Sequence, residues 1–76
     1  MTNEQLNHYE GLSNLVDLAQ DHVTDAVAVL VGMHLEKGES VAQYTARVQE
    51  ACDYISAQRR HLCQAKADKR AFVMSV

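Results

Sequence analysis

Apolar residues return every seven positions on both sides of one glycine-marked break, and this double repeat constrains the chain more than any other feature. In the first half Tyr9, Val16, Val23 and Leu30 recur at that interval, with Leu12, Ala19, Ala26 and Met33 three positions after each. In the second half Val41, Val48, Ile55 and Leu62 do the same, with Tyr44, Ala51, Gln58, Ala65 and Phe72 at the matching offset. A helix turns once in 3.6 residues, so alternating steps of three and four gather these side chains into one stripe. Two stripes joined by a short connection predict an all-α protein, a two-helix antiparallel hairpin.

Proline is absent, and the natural break is Glu36-Lys37-Gly38-Glu39-Ser40. Ser40 stands directly before apolar Val41 and three residues before Gln43, the pattern of a capping box opening a helix. Gly38 suits the end of the preceding helix. The expectation is one domain over residues 1–76, with helix 1 at about 3–36, a turn at about 37–40 and helix 2 at about 41–72. Gln58 is the one polar residue in the second stripe; it either sets register or reaches past the seam to water.

Size then becomes the difficulty. A hairpin of 76 residues has little surface to bury against an ordering cost of about 1–2 kcal/mol per residue. Small chains usually add a disulfide, a metal or a second subunit. Cys52 and Cys63 fall in one expected helix, roughly 16 Å apart along its axis, too far to bond to each other. They read as reduced thiols, with an intermolecular bridge the remaining alternative. Neither they nor the four histidines have the close pairing typical of zinc ligands, so no metal and no cofactor is expected. Association remains. The run Ala26-Val27-Ala28-Val29-Leu30-Val31 surrounds the whole helix, and one neighbour cannot cover it. Its β-branched content could instead mark a strand, but no second strand offers itself. We therefore expect a homodimeric four-helix bundle, with Val16, Val23, Val27, Leu30, Val48, Ile55 and Leu62 in its core or dimer contact.

Charge separates the halves. Residues 1–39 hold seven acidic and one basic side chain, residues 40–76 three acidic and six basic. An antiparallel hairpin sets the acidic helix beside the basic one. Asp17, Asp21 and Asp25 repeat at i, i+4 and i+8, either a solvated face or an acidic ridge for a basic partner. Arg59, Lys66 and Arg70 form a stripe with Arg60 and Lys69 beside it. Pairing with the acidic helix, contact with an acidic protein, and contact with an RNA or DNA backbone each account for that stripe. Tyr54 lies just off the seam and is the tyrosine placed to reach a partner. The ending Phe72-Val73-Met74-Ser75-Val76 is apolar enough either to cap the core or to dock into a partner.

No constellation for catalysis emerges. His34-Leu35-Glu36 has the H-x-E of zinc deaminases without the P-C-x-x-C that must accompany it. His61 and Cys63 are two apart and point to different sides of a helix. A calcium loop would need its glycine and alternating oxygen ligands, which are missing around the three aspartates. No basic segment followed by an apolar run opens the chain, so a soluble cytoplasmic protein is the default expectation. The residues favour a non-enzymatic protein-protein interaction module: a small dimeric regulator or inhibitor of adaptor or anti-activator type, occluding a larger partner protein. Short chains of that kind are common among phages and mobile elements. The alternatives are a dimeric RNA- or DNA-binding regulator using the basic stripe, and a small subunit of a larger complex.

Overall fold

The computed structural model describes residues 1–76. It consists of α1 (Asn3–Val31) and α2 (Val41–Ser75), packed against each other as a hairpin with no strands. The result is a rod of 60 × 15 × 12 Å with a radius of gyration of 17.8 Å, against about 11 Å for a compact domain of this length.

Both helices open on a capping box. The Ser40 hydroxyl accepts from the Gln43 N–H at 3.1 Å, and the Gln43 side chain accepts from the Ser40 N–H at 2.9 Å. Thr2 and Gln5 form the same reciprocal pair at 3.1 and 2.8 Å. Each box satisfies two backbone N–H groups that the first turn leaves without partners. The seven-residue pattern anticipates α2 but overestimates α1, which stops at Val31 and not near residue 36. Val29, Val31 and Gly32 are poor helix formers within four positions, and Gly32 serves as the C-cap, donating to the Ala28 carbonyl at 3.1 Å. Gly38 does not end α1. It lies inside the connection with φ +83°, a left-handed conformation that glycine adopts without steric cost. At the other end α2 runs to Ser75, so most of the apolar C-terminus is helical.

One clamp fixes the connection. Arg47 on the second turn of α2 donates from Nε to Glu39 Oε2 at 2.6 Å and from Nη2 to Oε1 at 2.7 Å. Its Nη2 also donates to the His34 carbonyl at 3.0 Å, while Glu39 Oε1 accepts the Glu36 N–H at 3.1 Å. A bidentate guanidinium–carboxylate pair holds both partners in one plane. It ties the segment after α1 to the start of α2.

The seam of the hairpin is the predicted one. Val23, Ala26, Ile55 and Leu62 are buried, with Tyr9, Leu12, Val16, Ala19, Leu30, Val48, Ala51 and Ala65 half-buried around them. Gln58 is half-buried too, and no buried polar atom lacks a partner, so its amide reaches water beside the seam. At the open end Phe72 packs on His8 with ring centroids 4.5 Å apart, and the Lys69 ammonium sits 5.1 Å from the Tyr9 ring centroid. Lys69 holds the position that follows Leu62 in the heptad, where a cation can remain in the seam by resting on an aromatic face. Val41 departs from the pattern and is 70% exposed. It begins α2 at a level where α1 has already ended.

Candidate protein-interaction surface

Only four of the 76 residues are buried. The accessible surface is 5692 Å², whereas a compact monomer of 8.5 kDa exposes about 4,650 Å². A rod exposes more than a compact body of its mass, and large apolar side chains such as Leu15, Leu18, Val29 and Tyr54 are part of what it exposes.

One face is a shallow apolar groove. Its upper part lies among Leu12, Leu15 and Leu18 of α1 and His61 and Ala65 of α2; its lower part among Ala26, Val29, Ala51 and Tyr54. His22 lines both parts. The seam residues beneath it are Ala19, Ala26, Ala51 and Ala65, whose short side chains leave the floor low. Leu15, Leu18, Val29 and Tyr54, each more than half exposed, form the walls. The ring of apolar residues from Ala26 to Val31 is covered on one side only: Ala26 is buried, while Val29 and Val31 are 64% and 79% exposed.

The opposite face is mixed. Arg59 borders a depression with Val27, Leu30, Cys52 and Ile55. Lys66, Lys69 and Arg70 surround another with Val16 and Val73. The stripe predicted from sequence thus exists as a surface, but its pairing with the acidic helix does not. The ion pairs are Arg47–Glu39 and His34–Glu36, and neither involves the stripe. Asp17, Asp21 and Asp25 are all exposed and make no ion pair with α2; Asp25 lines the lower part of the groove. The structure brings together Arg59, Lys66, Arg70 and Val73 on one face. Tyr54 it places on the other, and of the aspartate ridge Asp25 lines that same groove. Phe72 is half-buried against His8, whereas Met74 is 81% exposed; the C-terminus both caps the open end and presents apolar surface.

The clamp shifts both of its charged groups. The Arg47 hydrogen bonds hold the Glu39 carboxyl below its ordinary value of 4.5, helped by the Glu36 N–H, and Glu39 in turn raises Arg47. Both cysteines are free, Cys52 half-buried and Cys63 exposed. No three His, Cys, Asp or Glu side chains converge as metal ligands would, and neither helix is long and apolar enough to cross a membrane.

The sequence reading missed the groove. Its signal was present, since Leu15, Leu18 and Val29 fall outside the seven-residue stripe and share its alanine-bearing edge. No protein-family model, curated protein or solved structure matches the chain.

Proposed function

We propose that the chain is a non-enzymatic interaction module, a dimeric four-helix bundle that regulates or inhibits a larger protein by covering part of its surface. The observation that carries this reading is the apolar groove exposed on a rod with so small a core. Monomeric proteins rarely leave contiguous apolar surface on this scale without a partner. The basic face supplies the other half of the reading. Arg59, Lys66 and Arg70, free of intrachain ion pairs and interleaved with Val16, Val27 and Val73, suit an acidic protein surface with apolar anchors.

The same unpaired charges favour a second reading, contact with an RNA or DNA backbone. Affinity capture of tagged protein from its native lysate, with and without nuclease, separates the two. A stoichiometric protein retained through nuclease, and lost with the double substitution Arg59→Glu and Lys66→Glu, supports the first. Release of the captured material by nuclease, with a steep fall of binding in salt, replaces it with the second. Retention unchanged by the double substitution excludes the basic face from either role.

A further inference from the structure

We propose that the groove is filled by a second copy of this chain, docked with its turn at the same end of the bundle, so that each α1 lies on α2 of the other copy. This deepens the dimeric reading above and rests on it.

Area selects the occupant. The excess over a compact monomer is about 1,000 Å² per chain, about 2,000 Å² for a pair, at the lower bound of obligate homodimer interfaces. The groove face also has the composition of such an interface. Leu15, Leu18, Val29 and Tyr54 stand over a floor of alanines, Asp25 and Asp68 are the charged side chains that line the groove, and the Lys and Arg residues of the stripe lie on the other face. One aromatic and three aliphatic walls facing four small residues form knobs and holes that are self-complementary, as an isologous contact requires.

Charge selects the orientation. Two hairpins can meet face to face in two ways. If the two-fold axis runs along the rod, both turns lie at one end and α1 of each copy faces α2 of the other. If the axis crosses the rod, α1 faces α1 and α2 faces α2. Helix α1 carries five acidic and no Lys or Arg side chains; α2 carries six basic and three acidic. The second arrangement sets acidic helix against acidic helix, whereas the first flanks every acidic helix with two basic ones.

The first arrangement also fixes which residues meet, because an axis along the rod preserves height. Leu18 and Gln64 border the groove at one level, as do Val29 and Tyr54. Leu18 of one copy therefore packs over Ala65 of the other, and Tyr54 over Ala26 and Val29. Asp21 and Arg60 of opposite copies come to the same edge. Tyr54 thereby becomes a dimer anchor and leaves the basic face for the regulated partner.

The test uses Leu18→Cys and Gln64→Cys, each alone in a full-length chain carrying Cys52→Ser and Cys63→Ser, one bearing a size tag. The two are refolded together and treated with a short bis-maleimide. The proposal expects Leu18–Gln64 cross-links in the mixture at least about tenfold above the self-links formed by either variant. Predominant Leu18–Leu18 links overturn the orientation, since Leu18 lies near the middle of α1. Dimers by sedimentation without any cross-link at these sites overturn the choice of face. Monomers by sedimentation, for the parent chain and both variants, overturn the dimeric reading itself.

Discussion

Glycine at position 38 and glycine at position 11 make the sharpest test at the scale of single residues, because the same substitution should act oppositely. Gly38 has φ +83°, where a side chain costs about 1–2 kcal/mol. Gly38→Ala should lower the urea midpoint accordingly, even though its added methyl meets nothing within 4 Å. Gly11 is mid-helix and equally open, so Gly11→Ala should raise stability by about 0.5–1 kcal/mol. The clamp gives a pH-dependent counterpart. Glu39 has its folded-state pKa lowered chiefly by Arg47, so its stabilising contribution is complete above the ordinary carboxylate value and disappears as pH falls through the lower folded value. Glu39→Gln should therefore be less stable than the parent at pH 7, and the difference should shrink below about pH 4.5. Paired thermal melts across pH 7 to 3 measure this; a gap that persists unchanged at pH 3 means that the clamp does not stabilise through charge.

At the scale of elements, the seven-residue repeat identified both helices and all four buried residues, since periodicity records which side of a helix meets another helix. It said less about where the helices stop. The end of α1 depends on the competition between apolar periodicity, which continues to Met33, and weak propensity across Val29, Val31 and Gly32. Propensity prevails there, although α2 extends past that level and Met33 still finds partial cover. The charged stripes were legible as residues but not as contacts. Sequence shows which helix is acidic, and only the rotation of each helix shows that the acids face outward. The Thr2–Gln5 box carries the same spacing as Ser40–Gln43 but went unread in the sequence. Gln58 offers the element-scale prediction. Its amide is hydrated at the edge of an otherwise apolar stripe, so Gln58→Leu should stabilise the hairpin by about 1 kcal/mol through added burial. Loss of a polar seam residue can also relax register or oligomer state. Denaturation and sedimentation run on the same sample distinguish a tighter hairpin from one that has changed its association.

Considered as a whole, the molecule has a thin core for its length. Four buried residues along a 60 Å rod form a thin line of contact, and the ordering cost falls on all 76 residues. If the groove is completed by a second copy, folding and association are a single event, and the melting temperature must depend on protein concentration. The size of that dependence follows from the chain length. Two copies unfolding together carry an enthalpy of about 100 kcal/mol near 60 °C, so each tenfold dilution should lower the melting temperature by about 4–5 °C. An independently stable hairpin would melt at one temperature at every concentration. The same coupling fixes how the groove responds to damage. Leu18→Asp places a charge on a wall that is 52% exposed in the single chain, and in a hairpin that folds alone it should leave helicity almost untouched. In a chain that folds only as a pair, the buried, unpartnered carboxylate should remove helicity and association together. Circular dichroism and sedimentation of that one variant therefore read whether this rod is a folded unit that happens to associate or half of a fold.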